Sequence, residues 1–589
     1  MKKTAIYTIL ILFAVPCVLP AGTSLPGTFA SEAKVDSPKL SPIDSGQGSK
    51  GLSLPENDNV FRAMKDEMSR SMNKLRMDSL QKPYFLNYQV TEGRSLGITA
   101  GFGAVESEYT APYRRLRVDL RVGSPEFDNS NYAANVWEGY RVEADWSMAL
   151  DDNYDSLRYS IWAATDKAYK KALETHSKKK AYKESKNITE LFDDMTPRPP
   201  YQLFRDSGQE TLDQDLWREN IRKVSAVFLK YPAVKYSKVR LNFQSGAARF
   251  LDSEGSAFKR PDCLGSVIIE AKAYAPDGFL LSAGDEQAFC LAKDAPALST
   301  LLEKAEEAGR LLAGMDRSVR IKAYIGPVLF EKDAAGKFFD YFLITNLSNP
   351  REVWTTPNKW SSEAVYRRPG ALVERLDMRV LSPFLSVTDE PYERYFEGKP
   401  LIGYYEVDDE GVPAQKLNLV EKGKLVDYYM SRAATRDFKK SNGHGRADFL
   451  DYASGSPSNV FIRPEANSGK VLPLEELRNK LIDMCREQEL EYCLIIRGLD
   501  NMKAPFTAYR IYIKDGREEP AHGLEFTGTS LRALRDITAV SKEMNVYYPD
   551  WSTSGSIISP SILVQEMEVK KTDSKPEKMP YLPHPYFSK

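Results

Sequence analysis

The chain has 589 residues, with 81 Lys and Arg against 82 Asp and Glu, for a formal net charge of −1. That balance leaves no whole-chain field to attract nucleic acid or an anionic membrane. The length, with 42% hydrophobic and 28% charged residues, excludes a disordered or fibrous chain and accommodates two or more well-cored domains.

The N-terminus reads as a secretory signal, residues 1–30. Lys2 and Lys3 supply the positive start, and Ala5 to Leu19 form an apolar run of signal length. Pro16, Pro20 and the shortness of the run argue against a transmembrane helix. Cleavage after Ala21 or Ala30 fits, and Cys17 opens a lipoprotein reading that Pro16 disfavours. Residues 31–57, rich in Ser, Pro and Gly, read as a disordered linker. No later segment is a long uncharged apolar run. The expectation is therefore an exported protein, periplasmic or extracellular, with no transmembrane segment.

Val60, Met64, Met68, Met72 and Leu75 recur at helical spacing. Tyr84 to Val90 and Gly97 to Val105 read as extended segments. Leu116, Val118, Leu120 and Val122 alternate with charged residues, as in a half-buried strand. A long helix starts near Tyr154, with Leu157, Ile161, Ala164, Ala168 and Tyr169 on one face. It runs into Lys178, Lys179 and Lys180, read as a solvated helix end. After a loop at Thr196 to Pro200 comes a helix, Leu212 to Leu229. Lys238 to Asn242, Ala247 to Asp252 and Ser266 to Ala275 are predicted strands, and Leu298 to Ala313 a helix. There the N-terminal α+β domain, 58–315, gives way to a β-rich C-terminal domain, 316–571, with a Pro-rich tail, 572–589.

The second domain opens with Tyr324 to Phe339: a Gly-Pro break, the strand residues Val328, Leu329 and Phe330, and a helix starting near Glu331. Ile402 to Val407, Lys416 to Glu421 and Lys424 to Met430 read as a meander linked by turns at Asp408–Gly411 and Lys422-Gly423. Leu474 to Glu487 is a predicted helix, and Cys493–Arg497, Thr507–Ile513 and Gly555–Val569 are predicted strands. Many hairpins and few βαβ units give an α+β fold with mainly antiparallel sheets.

Candidate chemistry is sparse. The chain's histidines are His176, His444, His522 and His584, and no two have the spacing of helical zinc ligands. His176, in the basic helix end, and His584, in the tail, read as surface residues. His444 lies in the loop SNGHGR; with Gly443 and Arg446 it is a cleft candidate, since glycines let backbone approach a ligand, or else an exposed turn. His522 follows Pro520 and carries the same two readings. Asp408, Asp409 and Glu410 form either a cation site or a solvated turn. Cys263, Cys290, Cys485 and Cys493 follow the signal, either paired locally as Cys263–Cys290 and Cys485–Cys493 or as buried free thiols.

Six segments in order resemble the TldD/PmbA family: RFLDSEGS (Arg249–Ser256), GPVLFEKDAAGKFF (Gly326–Phe339), the DDEG hairpin Tyr404–Arg432, SNGHGR (Ser441–Arg446), KDGREEPAHGLEF (Lys514–Phe526) and IISPSILVQEMEV (Ile557–Val569). The resemblance implies a two-domain, peptidase-related protein that pairs as a dimer around an inner chamber. Such a protein would take a peptide or unfolded polypeptide as an added strand. In the TldD type, the two histidines of HExxxH and a later cysteine hold zinc around a general-base glutamate. Here Glu331 keeps the glutamate position, while Phe330 and Ala335 replace the histidines and no cysteine follows Cys493. The resemblance thus implies a PmbA-like member with no catalytic set intact and no cofactor. It would be a homodimer, or a heterodimer with a zinc-bearing TldD-like paralogue, without a nucleic-acid partner. Two alternatives stay open: an active metallopeptidase whose divergent zinc site uses His444 and Glu331, and a non-enzymatic envelope protein that keeps the fold.

Overall fold

The computed structural model describes residues 54–573 and Leu582, apart from residues 56, 78–79, 134–140, 207, 356–369, 502–503 and 550–554. The signal, most of the linker, nearly all of the tail and His584 lie outside the described residues. Four helices belong to the first half: α1 (Asn59–Lys74), α2 (Tyr154–Ser185), α3 (Gln214–Ala226) and α4 (Leu298–Gly314). Three begin on side-chain caps, where Asp58, Asn153 and Asp213 each accept the N–H three residues on, at 3.2, 3.0 and 3.0 Å. They accompany five strands: β1 (Pro83–Gly101), β2 (Ala104–Ser124), β3 (Val234–Asp252), β4 (Ala257–Tyr274) and β5 (Leu280–Phe289). These strands run antiparallel in the order β2-β1-β3-β4-β5, and short strands complete an eight-stranded sheet. Leu86, Tyr88 and Val90 of β1 face Leu120, Val118 and Leu116 of β2, so the alternation read from the sequence becomes a buried face.

The second half contributes β6 (Ala323–Phe330), α5 (Asp333–Phe342), β7 (Leu385–Asp389), β8 (Leu417–Glu421), β9 (Asn459–Pro464), α6 (Leu474–Glu487), β10 (Tyr492–Asn501), β11 (Ala504–Tyr512), β12 (Glu518–His522), β13 (Ile537–Tyr547) and β14 (Ser556–Lys571). Their order is β12-β11-β10-β6-β14-β9-β7-β8, with β13 also on β14, within a thirteen-stranded mixed sheet. Strand β6 is central. It runs parallel to β10, with Phe330 opposite Ile496, and antiparallel to β14, with Phe330 opposite Ile562. A strand buried on both sides reads as a continuous apolar run, which explains Val328-Leu329-Phe330. Successive side chains point to opposite faces. Val328 and Phe330 join the main core with Phe338 and Phe339 of α5, whereas Leu329 joins a second core with Leu477, Leu481 and Cys485 of α6.

Several boundaries move. Helix α5 begins at Asp333, leaving Glu331 in the junction before it. The two segments read between Tyr84 and Val105 are one strand up to Gly101, and the two between Lys238 and Asp252 lie in one strand, β3. Where β3 pairs with β1 two glycines face each other: Gly93 opposes Gly246, and a Cβ on Gly246 would stand 1.8 Å from the Glu92 carbonyl oxygen. Of the expected meander, Ile402–Val407 is not a strand. Its backbone satisfies itself with loops instead, Tyr405 N–H on Pro391 and Glu406 C=O on Ala414, both at 3.0 Å.

Phe338 is fully buried, with its ring centroid 5.1 Å from Phe330 and 4.8 Å from Phe342. Phe338→Ala is expected to cost about 3–5 kcal/mol of unfolding free energy, the range for truncating a buried aromatic. Denaturant unfolding with an unchanged m-value checks it.

Candidate functional site

The sequence motifs separate into two places. The first is the β6–α5 junction. Glu331 donates its N–H to Ile496 C=O at 2.9 Å, and Lys332 donates its N–H to Ser561 Oγ at 3.1 Å. Lys332 takes φ 46°, an uncommon value for a residue with a side chain, and the chain turns there from strand to helix. The Glu331 side chain is buried, 3% exposed, and two arginines hold it. Arg478 of α6 donates Nε and Nη2 to its two oxygens at 2.7 and 3.1 Å, and Arg497 of β10 donates Nε at 2.9 Å. Arg497 also reaches Glu518 with Nη2 at 3.0 Å. Burial pushes the Glu331 carboxyl up, but the Arg478 hydrogen bond and the Arg497 charge outweigh it and hold the group below its ordinary value. A carboxylate held ionised by two guanidinium groups is a poor proton acceptor.

The flanking positions offer no metal ligand. Phe330 and Ala335 are both fully buried in the main core and carry no donor atom, with the Phe330 ring 5.6 Å from Phe526. The residues at this site therefore do not fit zinc, which needs three donors around an open position. Among the described residues, no group of three His, Cys, Asp or Glu side chains is placed to hold a metal ion.

The second place is a buried seam where RFLDSEGS, the DDEG turn and SNGHGR meet. Asp408 Oδ1 accepts the N–H groups of Glu410 and Val412 at 3.0 and 2.8 Å, and its Oδ2 accepts that of Gly445 at 2.9 Å. Asp409 pairs with Arg260 of β4 at 2.5 Å and accepts the Ala447 N–H at 2.9 Å. Glu410 Oε2 accepts the Arg432 N–H at 2.7 Å, while the Arg432 guanidinium grips Glu254 at 2.7 and 3.0 Å. Arg198 binds the Glu410 carbonyl at 2.8 Å and also Asp252 and Ser256. The acidic turn read as a solvated turn or cation site is instead interior, with Asp408 and Asp409 buried.

The cleft candidates lie in this seam. His444 is 0% exposed, its Nδ1 3.1 Å from the Asn442 carbonyl and its Nε2 3.3 Å from Asp389 Oδ1. Asp389 is occupied by Tyr429 Oη at 2.8 Å and by the Ser458 N–H and hydroxyl. Gly443 has φ +74°, and a Cβ there would meet the Pro413 carbonyl oxygen at 2.1 Å. Its glycine serves close backbone packing. Arg446 turns inward to Asp409, with Nε at 3.4 Å, and stacks over the Tyr405 ring at 4.4 Å. His444 and Glu331 thus have separate partners. His522, the other histidine with an exposed-turn reading, is also buried, between Ser318 Oγ at 2.9 Å and Asp277 at 3.2 Å. Lys179, from the run read as solvated, is 1% exposed and donates to Asp194 at 2.5 Å and to the Ser130 carbonyl at 2.7 Å. The partners that sequence reading missed, Arg198, Arg260 and Arg478, sit in unremarkable local contexts and act across long separations.

Two large sheets, one mainly antiparallel and one mixed, with a central strand that turns into a helix at Glu331, define the class as a two-sheet α+β fold. Residues 323–571 match the family model of the PmbA/TldA metallopeptidase C-terminal domain. The match gives this part of the chain a domain of the PmbA/TldA metallopeptidase type. Two relatives are metalloproteases, from Methanocaldococcus jannaschii (34% identical over 18% of this chain) and Archaeoglobus fulgidus (27% over 28%). The chain spans only 22% and 36% of their respective lengths. Two solved structures share the fold over 86% of this chain. A candidate modulator of a DNA gyrase from Thermotoga maritima is covered in full, with TM-score 0.56 and 16% identity. TldE from Thermococcus kodakarensis is covered over 99%, with TM-score 0.55 and 15% identity.

Glu331→Gln is expected to cost about 2–3 kcal/mol, less than for a fully enclosed pair because both guanidinium groups keep some water. The sign with pH follows from the lowered carboxyl. Its stabilisation is full above the ordinary value of 4.5 and is lost as pH falls through the folded value below that. Chemical unfolding from pH 7 to pH 3 should therefore converge for wild type and variant at the acid end. Asp408 behaves oppositely. Burial first, then the Glu410 charge, push it up to about 7 against three backbone N–H groups. Its protonated form favours folding at low pH, an advantage lost as pH rises through about 7. A carboxyl-carbon NMR titration should place the Asp408 midpoint there, and Glu410→Gln should lower it.

Proposed function

We propose that this chain is an exported, zinc-free TldD/PmbA-family protein that binds peptide or unfolded polypeptide, or serves as the non-catalytic subunit beside a zinc-bearing relative. The observation that carries the reading is the state of the β6–α5 junction. The glutamate at the family's general-base position is locked between Arg478 and Arg497, and the two histidine positions are core packing at Phe330 and Ala335. An exchange of metal ligands for a packed core leaves the fold intact while removing the means to activate water. Long antiparallel sheets suit recognition of main-chain hydrogen bonds, which takes extended peptide with little side-chain selectivity.

Export is supported by the signal-like N-terminus and by the Cys263–Cys290 disulfide, whose Cα atoms lie 5.2 Å apart. No helix among the described residues is long and apolar enough to cross a membrane.

The test is metal analysis and peptide titration on purified mature protein. Substoichiometric zinc, binding of an unstructured peptide without cleavage, and indifference to chelator are the expected results. Stoichiometric zinc with chelator-sensitive cleavage would overturn the reading in favour of a divergent metallopeptidase. Neither peptide binding nor a co-purifying family member would reduce the protein to an envelope component that keeps the fold.

A further inference from the structure

Two thiols outside the sites above lie beneath the Glu331 clamp. Cys485 is in the last turn of α6, third in the buried stripe Leu477, Leu481, Cys485. Cys493 is the second residue of β10. Both are free and fully buried, in the core that also holds Leu329 of β6. Cys493 Sγ is 3.7 Å from the Leu481 carbonyl, the oxygen one helical turn before Cys485. Cys485 Sγ is 3.8 Å from Tyr324 Oη. The sulfurs are therefore neighbours across the α6–β10 connection.

That connection joins the two elements whose arginines hold Glu331: Arg478 on α6 and Arg497 on β10. We propose that Cys485 and Cys493 are a disulfide-forming site, oxidised by a small-molecule disulfide or a thiol–disulfide oxidoreductase, and that the bond staples α6 to β10 under the Glu331 clamp. The Cys485 thiolate attacks a sulfur of the oxidant, breaks its S–S bond, forms a mixed disulfide and releases one thiolate. Cys493 then gives up its proton, and its sulfur attacks Cys485 Sγ, releasing the second half of the oxidant. Two protein thiols are oxidised to one disulfide, and the oxidant is reduced to two thiols, which take up the two protons.

The chemistry has a local basis. The contact with Cys493 holds the Cys485 thiol below its ordinary value and pushes Cys493 up, which makes Cys485 the first nucleophile. Access is through the helix end. Arg486, Glu487, Gln488 and Glu489 are exposed, and Glu489 sits at φ 55° just past the helix, so fraying of one turn uncovers Cys485. Cys263 and Cys290 are already joined, so a second disulfide adds no new demand on the compartment. The inference does not depend on the peptide-binding reading.

The test uses the wild-type mature protein, equilibrated with oxidised and reduced glutathione, quenched in acid, alkylated after denaturation and digested with trypsin. Cleavage after Arg486 separates the two cysteines, so a disulfide appears as a linked pair of peptides, Leu481–Arg486 and Glu487–Arg497. The expected result is that this linked pair becomes the dominant form under oxidised glutathione. Amide hydrogen exchange across α6 should then slow by about tenfold relative to the reduced form. Both cysteines fully alkylated while Cys263–Cys290 stays joined, or each trapped only as a separate glutathione adduct, would overturn the site. Identical α6 exchange in linked and reduced protein would overturn the staple.

Discussion

A charge removed from water must be met by a fixed opposite charge or by several oriented hydrogen bonds, or the group gives up its ionisation. The seam between the two sheets is built around that requirement. Asp252, Glu254, Asp409 and Glu410 come from turns on both sides, and Arg198, Arg260 and Arg432 reach across to them. Where no cation arrives, three backbone N–H groups are not enough, and the Asp408 carboxyl is pushed up to about 7. The turns on which these acids sit have tight backbone geometry. Gly411 has φ +76° beside Arg198, and a Cβ on Gly445 would meet Glu410 Oε2 at 2.3 Å. The seam thus explains three separate motifs as parts of one contact.

The same rule governs Glu331 at the β6–α5 junction. A general base needs a pKa near the working pH and a proton donor within reach. Glu331 has a lowered pKa and spends its oxygens on Arg478 and Arg497. Phe330 and Ala335 carry no donor atom and join β6 to α5 by apolar contact in the main core. The residues flanking Glu331 are part of the core that holds the central strand.

Features governed by local periodicity were legible in the sequence. Helix α6 spans Leu474–Glu487 as expected, α2 begins at Tyr154, and the Leu116–Val122 alternation lies in β2. Features governed by distant partners were not. Lys179 looks like one lysine of a solvated run because nothing nearby announces Asp194, fifteen residues on. The DDEG turn has the composition of a surface turn, and its burial depends on arginines about 150 to 210 residues away. Ile402–Val407 has strand-like composition, but its backbone hydrogen bonds go to loops. Of the candidate site, Phe330, Glu331 and Ala335 could be read directly, while the two arginines that hold Glu331 could not.

This division has a consequence for how the junction holds together. Arg478 and Arg497 arrive from elements adjacent in sequence, α6 and β10, which pack on the second core through Leu477, Leu481, Ile495 and Leu329. The clamp is therefore only as rigid as the α6–β10 unit, and α6 is a surface helix anchored by one apolar stripe. A central strand with both faces buried resists local opening, whereas a helix held along one stripe opens at lower cost. The β6–α5 junction and the α6–β10 unit are thus joined mechanically through the Glu331 clamp.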